Sequence, residues 1–137
     1  MSEPKISKEM AEQEFDRFLE AMDIEADPVD MDEDDKKGFK QQKSRLVAAI
    51  MSGSAIIDDL GQPVFTPKRS GEDGPPITFY EPTGASIMAM DRKKKAEDVG
   101  KLYATMADMT KQPAKRFASM KYPDLRVCIA VTTLFLG

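Results

Sequence analysis

The stretch "SAIIDDLGQPVFTPKRSGEDGPPITFYEP", residues 54–82, limits the architecture more than any other part of the chain. Prolines 63, 67, 75, 76 and 82 and glycines 61, 71 and 74 punctuate it, so no run of β-forming residues is long. Three short strands can be read between them: Ala55–Asp58, Pro63–Thr66 and "ITFY" over 77–80. "DLG" between the first two is a hairpin signal in which Gly61 supplies the positive φ. Pro63 and Pro67 are expected to confine the second run to an edge or to a short strand. Ile77 and Phe79 alternate with Thr78 and Tyr80, so the third strand has one apolar face. A sheet this small cannot hold a domain together by itself, and the remaining residues must do so as helices.

The flanks carry the helical period. Phe15, Phe18, Leu19 and Met22 recur at i, i+3, i+4 and i+7, with Ser7 placed to cap the helix. Pro28 breaks the chain, and a second helix is expected from Asp32 through Phe39, Leu46, Val47 and Ile50 to Gly53. After Glu81-Pro82, Thr83 suits the N-cap of a short helix through Ile87, Met88 and Met90. A longer stripe follows at Val99, Leu102, Tyr103, Met106 and Met109. "TKQP" interrupts it, Phe117 and Met120 mark a short helix, and Pro123 suits the first position of a last one, "PDLRVCIAVTTLFLG". Val127, Ile129, Val131, Thr132 and Thr133 are poor helix formers, so a buried strand is the alternative there. The fold class read from this pattern is α+β and mostly helical: a small antiparallel sheet of about three short strands packed with a C-terminal helical half.

Charge suggests a division of the chain. Residues 1–35 hold 14 acidic and 3 basic side chains, net −11, while residues 36–137 hold 10 and 17, net +7. The expectation is an acidic helical arm over 1–35, separable from a small α+β domain over 36–137. The apparent calcium spacing of Asp30, Asp32 and Asp34 fails, because Asp35 stands where the loop needs glycine and Gln41 where it needs a bidentate glutamate. These acids instead lead into a helix, whose N-terminal end favours negative charge.

Several function classes drop out. With no histidine in the chain, Ser-His-Asp and Cys-His nucleophile systems and imidazole metal sites are excluded. Neither nucleotide-binding glycine motif occurs. Cys128, the single cysteine, lies in the apolar run "RVCIAVTTLFL" and reads as an inert buried thiol. No apolar run approaches the ~18 residues that span a bilayer, and "MSEPKISKEMAEQEF" is too polar for a secretory leader, so no membrane association and a cytoplasmic location are expected. What would remain for catalysis are carboxylates and lysines, and no motif calls for a cofactor or metal.

"ITFYEPTGASIMAMD" (77–91), "LYATMADMTKQP" (102–113) and "YPDLRVCIAVTTLFLG" (122–137) together resemble the small tail assembly chaperones of long-tailed bacteriophages. In that family a strand closing in an Arg-Glu-Pro-Thr/Ser-Gly motif precedes helices that end in an aromatic-leucine pair. The resemblance covers 55–137. Tyr80 stands in place of the common basic residue before Glu81-Pro82, Ser86 in place of the usual acid, and Lys111 where glycine often closes a helix. It implies a non-enzymatic protein of the host cytoplasm that binds and solubilises the tape-measure protein and leaves before the tail is finished. A frameshift extension contacting the tail-tube protein, and homo-oligomers, are compatible with it.

Ten methionines and no tryptophan agree with an adaptable apolar surface, since Met is flexible and polarizable. Tyr80, Met88, Met90, Met106, Met109 and Phe117 are the candidate partner-binding residues. The alternative is that these methionines fill a core. The run Arg92–Lys95 lacks interleaved aromatic residues and reads as a solvated linker, which ranks nucleic-acid binding last. A virion accessory protein, such as a head-tail connector or baseplate component, is the competing assignment.

Overall fold

In the computed structural model of the chain, residues 6–24, 32–68, 74–84 and 98–136 are described. Among these residues five helices and three strands follow in order: α1 Lys8–Ala21, α2 Glu33–Ser52, β1 Ala55–Ile57, β2 Pro63–Phe65, β3 Ile77–Thr78, α3 Asp98–Thr110, α4 Ala114–Ala118 and α5 Tyr122–Leu136. The fold is α+β and mostly helical, with one three-stranded antiparallel sheet in the order β1-β2-β3.

Local chemistry sets the helix ends. Ser7 accepts the Met10 N–H at 3.2 Å, and Asp32 accepts the Asp35 N–H at 2.8 Å, each satisfying a donor that its helix leaves unpaired. Gly53 closes α2 in the left-handed region at φ 82°. Two other helices end the same way without glycine. Asp23 (φ 54°) follows α1, and the N–H groups of Asp23 and Ile24 reach back to Glu20 and Leu19 at 3.2 and 2.9 Å. Lys111 (φ 57°) follows α3, with its own N–H and that of Gln112 returning to Asp108 and Ala107 at 3.4 and 3.1 Å. Both are Schellman closures.

α5 runs as a helix along α2, and over residues 123–136 the strand alternative does not hold. Its β-branched hydroxyls are absorbed by the turn before them: Thr132 and Thr133 donate to the carbonyls of Cys128 and Ile129 at 2.9 and 2.8 Å. Leu125, Cys128, Ala130, Val131 and Leu134 are buried, so packing supplies what propensity does not. The Cys128 thiol lies 3.7 Å from the Met120 sulfur.

Expectation and structure part over α1. Phe15 and Phe18 are fully buried in the same apolar cluster as Leu46, Ile50, Phe65, Ile77 and Val131. Phe15 meets Phe39 edge-on at 6.0 Å, and Phe18 meets Phe135 at 5.2 Å. Lys43 of α2 reaches Glu12 at 3.7 Å and lies 5.6 Å from the centre of the Phe15 ring. α1 is therefore packed into the body rather than standing off as an arm, and a boundary at 35 would fall inside the first turn of α2. Charge composition reports the solvent face of α1, whereas its apolar face is a wall of the core.

Of the two alternatives for the second run, an edge or a short strand, the sheet takes the second: β2 is three residues long. Pro63 does not lie on an edge, because β2 is the central strand. The β1–β2 bonds flank it, Asp58 N–H to Gln62 at 2.9 Å and Thr66 N–H to Ser54 at 2.7 Å, so the Ile57–Pro63 pair exchanges none. The missing N–H faces the third strand just beyond its two paired residues, where the Pro63 carbonyl still accepts the Phe79 N–H at 2.8 Å. The hairpin forms as read. Asp58 Oδ1 accepts the N–H groups of Leu60 and Gln62, both at 2.9 Å, and Gly61 takes φ 81°. The outer edge of β1 is covered by Arg17 of α1, which donates to the carbonyls of Ile57 and Asp58 at 2.6 and 2.7 Å.

Candidate functional site

The sequence candidates separate into three groups. Met88 and Met90 lie outside the described residues, as does the basic run 92–95. Met106, Met109 and Phe117 are buried, at 0%, 1% and 0% exposure, so in the isolated chain they belong to the interior and line no open surface. Tyr80 is the exposed one of the described candidates.

Tyr80 lies two residues beyond the end of β3. After β3 its N–H leaves the sheet and donates to the Met109 carbonyl at 3.0 Å, tying the strand exit to the last turn of α3. The next residue past that turn, Lys111, places its ammonium 4.5 Å from the centre of the Tyr80 ring. Lys111 itself holds the left-handed φ of 57° that closes α3. Nearby, the Arg116 guanidinium donates to the Pro75 carbonyl and, at 3.0 Å, to Gln112, fastening the loop before β3 to the start of α4. The result is a small amphipathic surface of Tyr80, Glu81 and Lys111 laid over buried Met109.

Burial gives Met106 a measurable consequence. Met106→Glu places a charge in a fully enclosed position, at a cost of about 3–5 kcal/mol, and is expected to abolish the cooperative thermal transition in circular dichroism. Tyr80→Glu should leave that transition nearly unchanged, because the ring is one-third exposed and the backbone bond to Met109 does not depend on it.

An open groove of about 220 Å³ lies elsewhere, between α2, the strand β2 and the start of α5. Arg45, Lys68 and Arg126 stand around it, with Ser54 and an apolar wall that includes Ala49, Phe65 and Val127. Asp124 is buried at the base and accepts the Lys68 backbone N–H at 2.8 Å. Arg126 is also 5.6 Å from the Tyr122 ring. Sequence reading did not find this site. Its three cations are far apart in the chain, and the net +7 beyond residue 35 was their only trace.

Among the described residues no group of three or more Cys, Asp or Glu side chains could hold a metal ion, and no helix is long and apolar enough to cross a membrane. Comparison with known proteins finds no family model, no curated protein and no solved structure that matches this chain.

Proposed function

We propose that this chain is a non-enzymatic tail assembly chaperone of a long-tailed bacteriophage, acting in the host cytoplasm to bind the tape-measure protein and keep it soluble during assembly. The reading rests on the sequence resemblance, and one structural observation supports it. The strand exit and the helix end that carry the resemblance meet at a single surface, through the Tyr80 N–H to Met109 bond and the Lys111 ammonium over the Tyr80 ring. Lys111 holds a left-handed φ at the position where the family often has glycine, so this departure from the pattern keeps the backbone geometry that glycine would serve. A tape-measure protein presents long helices with apolar stripes, and an exposed aromatic ring beside a cation suits an amphipathic helix face.

Co-expression with the tape-measure protein of the same phage tests this. The long protein should stay in the soluble fraction with several copies of the chaperone bound along it. Tyr80→Glu should weaken the complex about tenfold, which corresponds to about 1.4 kcal/mol, while the free chaperone still melts cooperatively. Recovery of the chain from purified mature virions, with no tape-measure complex on co-expression, would replace this reading with that of a virion accessory protein.

A further inference from the structure

We propose that the groove between α2, β2 and the start of α5 is a docking site for an acidic, leucine-bearing segment of a partner protein, with Arg45, Lys68 and Arg126 receiving the carboxylates. The groove shares no residue with the Tyr80 surface, so the inference does not depend on the tape-measure reading.

Three elements each deliver one cation to the rim: Arg45 from α2, Lys68 from the chain leaving β2, and Arg126 from the first turns of α5. None of the three forms an ion pair with another described residue. The acid in the groove, Asp124, is buried and accepts the Lys68 backbone N–H, whereas Lys68 and Arg126 are exposed and Arg45 is half-buried. The acids that begin α2 do not neutralise the rim. Arg45 follows Glu33 by three turns of helix, roughly 18 Å at 1.5 Å per residue, about twice the ~8 Å screening length at physiological salt.

Shape and charge favour polypeptide over nucleic acid. The wall formed by Ala49, Phe65 and Val127 is apolar, which suits an aliphatic side chain beside a carboxylate. A polynucleotide needs an extended cationic track, whereas this groove is about 220 Å³ and the chain as a whole carries −4.

The test is fluorescence anisotropy of the full-length chain with a short fluorescein-labelled peptide that places Glu and Leu at helical spacing. Binding is expected at low salt, weakening as salt rises, with a Glu→Gln version of the peptide failing to bind. Arg45→Gln combined with Arg126→Gln should weaken binding at least about tenfold with an unchanged melting curve. If that double variant melts early, the single substitutions and Lys68→Gln carry the same comparison. Absence of binding by the unaltered chain, or undiminished binding by the folded variants, overturns the proposal. So does displacement of the peptide by inorganic phosphate or a single-stranded oligonucleotide at matching concentration, which would make the groove a general anion site. Salt-sensitive self-association lost in the same variants would make the occupant a second copy of this chain and likewise overturn it.

Discussion

Removing residues 1–24 is expected to leave a chain without a cooperative thermal transition, prone to aggregate and able to bind hydrophobic dyes. α1 contributes Ala11, Phe15 and Phe18 to the core, all at 0% exposure, and without them Phe39, Phe135 and the flank of β1 face water. Loss of one buried phenylalanine costs about 3–5 kcal/mol, against a total stability of about 5–15 kcal/mol for a domain of this size. The deletion removes two. It also takes away Arg17, which covers the carbonyls of Ile57 and Asp58, so the outer edge of β1 is offered to other chains. Phe18→Ala gives a graded form of the same result: a folded protein whose urea midpoint falls by the equivalent of about 3–5 kcal/mol. A truncated chain that melts cooperatively would show that the body is stable without its first helix.

Two glycine-to-alanine substitutions should move stability in opposite directions. At Gly61 a Cβ would stand 2.2 Å from the Ala21 Cβ, on a backbone with φ +81°. The left-handed backbone costs an L-residue about 1–2 kcal/mol, and forcing the hairpin away from the end of α1 adds about 1–3. Gly61→Ala should therefore destabilise by about 2–5 kcal/mol in urea unfolding. Gly38 lies in the interior of α2 with nothing within 4 Å of its added Cβ. Gly38→Ala should stabilise by about 0.5–1 kcal/mol, because alanine loses less backbone freedom in a helix. A loss at Gly61 no larger than the ~1–2 kcal/mol of backbone strain would mean that the hairpin tip does not rest on α1 in solution.

Short-range physics made much of this molecule legible in its sequence. Ser7, Asp32 and Gly53 act at helix ends as their side chains or backbone freedom dictate, and "DLG" makes its turn with Gly61 at positive φ. Proline spacing kept the strands to two or three residues each. The apolar stripe of α1 was equally plain, because a 3.6-residue period is a local property. What the stripe faces is not local. Charge suggested a solvated arm, and only the packing of Phe15 and Phe18 against α2 and α5 put that helix in the core.

The candidate sites divide along the same line. Tyr80 was visible as the outward residue of an alternating strand, whereas the burial of Met106, Met109 and Phe117 followed from which neighbours close over the C-terminal helices. A methionine at helical spacing fits a core or a docking surface equally well, so its type and position alone do not decide between them. The groove of Arg45, Lys68 and Arg126 left no motif, because its members come from two helices and a strand exit. Sequence by itself determined the helix caps and the turn chemistry, since those depend on backbone freedom and on donors a few residues apart, but it left α5 open between helix and strand. Tertiary structure alone decided which faces are covered and which distant charges converge, because burial and long-range electrostatics depend on contacts between residues that are remote in the chain.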